Sequence, residues 1–234
     1  MVTAPVRRVV WPRSVRIIRS IYPPIDLFED IADPADWEAL ASAEAKFNPR
    51  IRESIGDLAK VPVARRVTGT GASCVMAPFV HCSPLRPGRF TDGTFGLYYA
   101  GDSTEVAIAE TIHHHTKTML ATAEAPSWTS QFRELIGSVD ADMDDVTGMA
   151  DLLDPDDYRP SQVFGAERRA AGSNGITWPS VRYAGGSCIA AFWPVVVPIP
   201  AQGAHFAYHW NGSAVDYVKK LDTGEIMSVH KNMS

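Results

Sequence analysis

Short apolar segments with only isolated helical patterns between them constrain the fold of this chain more than any other feature. The segments with the apolar and aromatic content of strands are Val15–Ile21, Val61–Val67, Phe95–Ala100, Trp128–Val139, Ser187–Trp193, His205–Trp210 and Ser213–Lys219. Helical patterns occur singly rather than after each strand, so the regular alternation of a doubly wound sheet is missing. The sequence therefore predicts an α+β sandwich.

The first 60 residues are interpreted as an extension ahead of the main domain. Met1–Ser20 contains five arginines and no acidic residue, which indicates a basic arm or leading strand rather than a targeting signal, since prolines interrupt it, and Val15–Ile21 could be an edge strand. A helix is expected to begin at Asp33, because aspartate caps a helix and Pro34 suits its first position. The predicted organisation is an extension over 1–60, a main domain over 61–222 and a polar tail over 223–234.

Composition excludes several classes of protein. The formal net charge of −5 argues against broad binding to nucleic acid, although a small polyanion needs only local arginines. Three cysteines without a C-x-x-C pair fit a reducing cytoplasm rather than a disulfide framework. No apolar run approaches the roughly 18 residues of a membrane span. We therefore expect a cytoplasmic protein.

The stretch Gly88–Lys117 contains the strongest candidate for chemistry. A helix is predicted after Asp102, which would serve as its N-cap with Glu105 completing a capping box. Its core-facing residues are predicted to be Ala109, Ile112, Thr116 and Met119. Glu110 and His114 lie one turn apart on an adjoining stripe, so a partly dehydrated carboxylate would stand beside a histidine. The alternative is a surface glutamate paired with a lysine.

Histidines follow Glu110 directly, at positions 113, 114 and 115. Adjacent histidines on a helix point about 100° apart, so they cannot chelate one ion together, and H-E-x-x-H is absent. A structural or hydrogen-bonding role for His114 is therefore favoured over a zinc site. The acidic run between residues 140 and 157 lacks EF-hand spacing, which favours a solvated loop over calcium binding.

Two arginines, Arg66 and Arg89, lie where apolar segments meet glycine-rich backbone. An arginine fork suits a pyrophosphate, because two donors match two oxygens, although a surface salt bridge would explain either residue. The Gly69–Gly71 pattern has no third glycine and no long helix after it, so a Rossmann fingerprint is not predicted.

Aromatic, hydroxyl and thiol side chains supply the remaining candidates. Tyr98 and Tyr99 alternate sides of a strand, and one could stack on a nicotinamide or adenine ring. Ser180 has no G-x-S-x-G elbow around it, so a positioning hydroxyl is favoured over a hydrolase nucleophile. Cys188 lies within an apolar strand and is expected to pack in the core.

Together these residues resemble the RES domain, the toxin half of a bacterial toxin–antitoxin pair, named for arginine, glutamate and serine. The resemblance covers roughly Arg65–Trp193, and the residues keep the family's order and spacing. The matching positions are Arg66, Arg89, Tyr99, Glu110, His114 and Ser180. Thr91-Asp92 stands where many members have tryptophan and asparagine, and the sequence leaves open whether Arg65 or Arg66 faces the cleft.

The resemblance implies an ADP-ribosyltransferase-like core of two packed, mainly antiparallel sheets around a cleft for NAD+. It implies a type II toxin that breaks the nicotinamide–ribose bond and passes ADP-ribose to phosphate, water or a protein. Glu110, Arg66 and Ser180 would be catalytic, while Arg66, Arg89, Tyr99, His114 and Ser180 would bind NAD+. An Xre-type antitoxin would occlude the cleft, without metal, direct nucleic-acid binding or a membrane.

Two other functional classes remain open at the level of sequence. A non-catalytic module that holds a nucleotide or a partner protein would bind NAD+ without releasing nicotinamide. A metal hydrolase built on the histidine tract would contain stoichiometric zinc or manganese.

Overall fold

Two long antiparallel strands form the centre of the fold in the computed structural model, which describes residues 3–21, 33–47 and 55–229. Strand β1 (Val6–Arg19) pairs with β3 (Trp128–Asp145) over nearly its whole length. The register shifts between Trp11 and Ser14. Pro12 lies in this interval and, having no N–H, cannot donate to the ladder. The proline therefore explains where the pairing is irregular.

The remaining strands extend this pair into one hydrogen-bonded sheet. They are β2 (Tyr98–Gly101), β4 (Gly175–Pro179), β5 (Ser187–Ala191), β6 (Ala201–Trp210), β7 (Val215–Lys220) and β8 (Ile226–Ser228). Because β1 pairs with β2 as well as β3, the path β1-β2-β5-β4-β3 returns to β1, and β6-β7-β8 continues from β3. Among the strand pairs of the described residues, only β3–β4 is parallel. The predicted α+β class with mainly antiparallel pairing is confirmed, although the strands form one continuous sheet.

Four described helices pack on this sheet. They are α1 (Trp37–Glu44), α2 (Ser73–Val80), α3 (Thr104–Leu120) and α4 (Arg159–Ala170). Helix α3 carries the glutamate of interest and begins one residue later than expected, with Ser103 as N-cap accepting from the Val106 N–H. Asp102 instead accepts a hydrogen bond from the Ser187 N–H at 2.8 Å, and so ties the helix entry to β5.

The core face of α3 agrees with the predicted helical spacing. Ala109, Ile112 and Met119 are buried, and Thr116 is half-buried. Their burial fixes the rotation of the helix about its axis, because residues three and four apart share a face. Glu110 therefore projects beside the core rather than into it or into open solvent.

The strand expected over Val61–Val67 is wrong. Residues 58–65 instead form 3₁₀ turns at Leu58–Lys60 and Val63–Arg65, with Val61 and Pro62 between them. Two backbone carbonyls of this region accept hydrogen bonds from the Arg66 side chain, at 3.0 Å each. A side chain thus satisfies backbone groups that a neighbouring strand would otherwise have to pair.

The interpretation of the N-terminus as a leading strand is confirmed by β1, whereas the edge position expected for Val15–Ile21 is wrong, because β1 pairs with both β2 and β3. Val9, Val15 and Ile17 of this strand are buried, while three of its five arginines, Arg7, Arg8 and Arg13, are exposed. The exposed arginines account for the basic character of the segment, and the buried apolar residues hold it against the core. Of the predicted extension, residues 1–2, 22–32 and 48–54 lie outside the described chain. The predicted tail over 223–234 contains β8, and its residues 230–234 also lie outside the described chain.

His115 on α3 points into the core and should make folding sensitive to pH. Its ring lies 5.0 Å from that of Phe132 and 6.3 Å from that of Tyr208, edge to face. Burial, together with the nearby charge of Arg19, lowers the pKa of His115 to about 4. An unfolded histidine takes up its proton near pH 6.5. The unfolded state therefore binds more protons between pH 6.5 and 4, and stability falls as the pH falls through that window.

We expect His115→Gln to flatten this dependence by about 1–3 kcal/mol between pH 7.5 and 5. Urea denaturation of both proteins at pH 7.5, 6.5 and 5 measures it. The variant need not match the parent at pH 7.5, since only the slope against pH is diagnostic. Parallel slopes would show that His115 titrates normally in the folded protein.

Candidate active site

A cavity of about 400 Å³ lies where α3, β2 and β5 meet the segment before β2. Its charged lining residues are Arg16, Arg86, Arg89 and Glu110. Glu110 is thus the one carboxylate that lines this cavity in the described chain, against three arginines. Such a lining favours an anionic ligand and leaves a single fixed negative charge within it.

Glu110 is half-buried, and one of its two oxygens is engaged. The Ser180 hydroxyl donates to Oε1 at 2.8 Å, and the Cys188 sulfur lies 3.6 Å from the same oxygen. Over the described residues, Oε2 has no hydrogen-bond partner. The arrangement holds the carboxylate in one orientation with an oxygen left for a ligand.

Ser180 is aimed at Glu110 by the turn that follows β4. Its Oγ accepts hydrogen bonds from the backbone N–H groups of Arg182 at 3.2 Å and Tyr183 at 3.1 Å. Because these donors occupy the oxygen's lone pairs, the hydroxyl proton is directed toward the carboxylate. The serine and glutamate, 70 residues apart in sequence, thus meet as a preformed pair.

Arg89 is buried at the cavity wall, and helix α4 sets its position. Its Nη1 donates to the carbonyls of Leu152 at 3.3 Å and Asp154 at 2.6 Å, and its guanidinium lies 4.5 Å from the Tyr158 ring centroid. The Ser161 hydroxyl donates to the Arg89 carbonyl at 2.6 Å. No carboxylate forms an ion pair with Arg89 within the described chain, so its charge remains available to a ligand.

Tyr99 lines the cavity, whereas Tyr98 faces the opposite side of β2. The Phe90 N–H donates to the Tyr99 hydroxyl at 3.1 Å, and the Trp178 ring meets the Tyr99 ring edge to face at 6.2 Å. Burial raises the pKa of Tyr99 and that of Tyr98, the latter to about 12. Tyr99 is therefore a neutral phenol held between the Arg89–Phe90 backbone and an indole. A Cβ at Gly88 would lie 2.8 Å from the Tyr99 hydroxyl, which is too close, so position 88 requires glycine.

The three histidines point in three directions, as the helical geometry requires. His113 pairs with Arg182 at 3.0 Å, His114 lines the cavity, and His115 enters the core. His114 is exposed overall at the cavity mouth. Contact of its ring with protein, and then the charges of Lys117, Arg182 and Arg89, lower the pKa of His114 to about 4. A neutral imidazole at this position can donate or accept a hydrogen bond.

Arg66 does not lie in the cavity, contrary to the expectation that it faces the ligand. Its buried guanidinium donates to Glu38 of α1 at 2.6 Å, to the Pro34 carbonyl at 2.7 Å and to the two 3₁₀-turn carbonyls. Arg65 stacks over the Trp193 ring at 5.1 Å and does not line the cavity either. The region folds as turns rather than a strand, so both side chains are turned away, and Arg66 fastens α1 to the main domain.

Sequence reasoning missed two arginines of the cavity lining, Arg16 and Arg86, and the contact that Cys188 makes with Glu110. Arg16 of β1 lines the cavity, donates to the Tyr99 carbonyl at 3.0 Å and lies over the Tyr98 ring, and burial lowers its pKa. Alternation along β1 does not reveal this position, because the neighbouring residues Val15 and Ile17 are buried as well. Cys188 is buried as expected, yet its sulfur contacts Glu110, a distant contact that local periodicity cannot reveal.

Among the described residues, no group of three or more His, Cys, Asp or Glu side chains is arranged to hold a metal ion. None of the helices in that part of the chain combines the length and apolar character needed to cross a membrane.

Comparison with known proteins identifies the family to which this chain belongs. It is 27% identical over 216 residues to the uncharacterized protein y4oC of Sinorhizobium fredii, covering 88% of this chain and 86% of that protein. A chain from the crystal structure of the M. tuberculosis MbcT-MbcA toxin-antitoxin complex aligns with a TM-score of 0.38 and 16% identity, over 52% of this chain and 72% of that one. The RES domain model matches residues 63–211, well over half of the 234. The chain therefore belongs to the RES domain family.

Proposed function

We propose that this chain is the toxin of a bacterial type II toxin–antitoxin system and consumes NAD+ by breaking its nicotinamide–ribose bond. The observation that carries the proposal is Glu110. It is held by Ser180 in a cavity whose other charged side chains are arginines. Membership of the RES domain family supports the same reading.

The chemistry needs one fixed negative charge and little else. When the bond between ribose C1′ and the nicotinamide nitrogen breaks, the electron pair leaves with nicotinamide, which becomes neutral. The ribose is left with oxocarbenium character, and a carboxylate in a site shielded from water stabilises that positive charge. A nucleophile then bonds to C1′ and loses its proton. Phosphate, water and a protein side chain are the three acceptors to be distinguished.

The other cavity residues would bind and orient the dinucleotide. Arg89 presents a buried guanidinium without a carboxylate partner among the described residues, which suits the pyrophosphate. Tyr99 and Trp178 offer aromatic surface for the nicotinamide ring. Neutral His114 at the mouth would supply a hydrogen bond. Arg66 has no part in this proposal, since its guanidinium is engaged elsewhere.

The cleft also defines the expected partner. A cytoplasmic Xre-type antitoxin that covers the cavity would exclude NAD+ and so silence the toxin. Since the cavity lining is rich in arginine, an acidic or carboxylate-bearing segment of the antitoxin is the chemistry that would fit it.

Incubation of the purified protein with NAD+ tests the proposal. We expect nicotinamide to accumulate with time and enzyme concentration, measured by chromatography. Parallel reactions with phosphate, without phosphate, and with bacterial lysate would yield ADP-ribose 1-phosphate, ADP-ribose or a labelled protein band, according to the acceptor. Saturable NAD+ binding by calorimetry with no nicotinamide over hours would instead show a non-catalytic binding module.

Substitution of the two predicted arginines should separate ligand binding from folding. Arg89→Met is expected to raise KM for NAD+ about 10- to 100-fold, because charge-assisted hydrogen bonds contribute about 1.5–3 kcal/mol. Arg66→Met should leave KM within about twofold while lowering stability by about 1–3 kcal/mol, because buried carbonyls lose their donors. Steady-state kinetics below the melting temperature, with urea denaturation, measure both. A large KM effect at Arg66 would restore it to the binding site.

A further inference from the structure

Cys188 of β5 is a buried thiol that the proposed mechanism leaves unused. It is 3% exposed, lines the cavity and lies opposite Gly101 of β2 and Trp178 of β4 in the sheet. Its Sγ is 3.6 Å from Glu110 Oε1, within the range of a hydrogen bond to sulfur. The neighbouring strands fix its backbone, so the direction of its side chain toward Glu110 is set by the sheet.

The sulfur carries its proton. Burial, and then the negative charge of Glu110, raise the pKa of Cys188 well above the usual value for a thiol. A thiolate 3.6 Å from a carboxylate would also add a second negative charge to a poorly solvated site. Cys188 is therefore a donor toward Glu110 and not a nucleophile.

Both donors to Glu110 converge on the same oxygen. The Ser180 hydroxyl reaches Oε1 from the turn that follows β4. The Cys188 thiol reaches the same oxygen from β5. The carboxylate cannot rotate about its last bond without exchanging both contacts. Oε2 keeps no hydrogen bond within the described chain and is the oxygen free to face a ligand in the cavity.

We propose that Cys188 is a positioning residue, whose S–H acts with the Ser180 hydroxyl to hold Oε1 of Glu110 and present Oε2 to the reacting sugar. The inference rests on the proposed function for its effect on rate, but the contact itself can be tested without catalysis. A thiol is a weak donor, so the effect is smaller than that of removing Glu110.

Kinetics of Cys188→Ala and Cys188→Ser separate hydrogen bonding from packing. We expect Cys188→Ala to lower kcat about 3- to 10-fold with KM within about twofold, since bound NAD+ would be held but the carboxylate less well placed. Cys188→Ser keeps a donor and should retain kcat within about twofold of the parent. Cys74→Ala, at a cysteine outside the cavity lining, is the matched control and should leave kcat unchanged. Equal loss in the serine and alanine variants, or no loss in the alanine variant, would overturn the proposal.

Infrared spectroscopy tests the contact independently of activity. The difference spectrum between the parent and Cys188→Ser isolates the S–H stretching band of Cys188, which a hydrogen bond to a carboxylate shifts to lower frequency. In the Glu110→Ala background we expect this band to move to higher frequency. An unmoved band would refute the contact even if the protein cleaves NAD+. A shifted band in a protein that releases no nicotinamide would overturn the proposed function but keep the contact.

Discussion

Replacement of Glu110 by glutamine is expected to lower the rate of nicotinamide release about 1,000-fold or more. Glutamine preserves the shape of the side chain, and its oxygen can still accept from Ser180. The substitution removes the negative charge that would stabilise the ribose cation. Loss of one preorganised electrostatic contact typically costs 10²- to 10³-fold, and the loss should be larger when the group is the one carboxylate lining the described cavity.

The matched control is Glu105→Gln on the first turn of the same helix. Glu105 is exposed, so the control makes the same chemical change outside the cavity and should retain activity within about twofold. Circular dichroism and melting curves establish that both variants fold. If Glu110→Gln releases nicotinamide as fast as the parent, Glu110 is not the catalytic carboxylate and the proposed chemistry fails.

Much of the candidate site could be predicted because it lies on consecutive local elements. Arg89, Tyr99, Glu110 and His114 span a turn, a strand and a helix, whose regular geometry converts sequence spacing into direction. Periodicity placed Glu110 beside the core stripe of α3, where the structure finds it half-buried. The sequence favours Ser180 as a positioning hydroxyl, but local spacing could not show its contact with Glu110, which joins residues 70 positions apart.

The predictions that failed did so for one physical reason. Contacts with residues distant in sequence determine where the side chain or the segment lies. Arg66 lies in a sequence pattern that suits a ligand-binding arginine, yet its described hydrogen bonds all go to Glu38 and to backbone carbonyls. Arg16 belongs to a segment whose arginine content suggested an exposed arm. In both cases the deciding partner is distant in sequence, so local pattern could not identify it.

Strand β1 lies outside the matched RES segment, and its packing suggests that the domain cannot fold without it. Val15 is fully buried and pairs with Gly101 of β2 and Ile136 of β3. It belongs to the same buried cluster as Ile108 and Ile112 of α3. The strand thus supports the helix that carries Glu110, so a substitution that disrupts β1 should also disturb the candidate active site.

We therefore expect Val15→Asn to lower stability by more than about 3 kcal/mol, because it buries an amide without a designed partner and removes apolar contacts with α3. Val10→Asn makes the same change on the same strand at a side chain that is 64% exposed, and should cost less than about 1 kcal/mol. Urea denaturation followed by circular dichroism measures both. Equal losses would mean that strand propensity, not burial against α3, sets the cost. A stable Val15→Asn protein would show that β1 is the dispensable arm its arginines suggest, and that α3 is held in place by the matched domain alone.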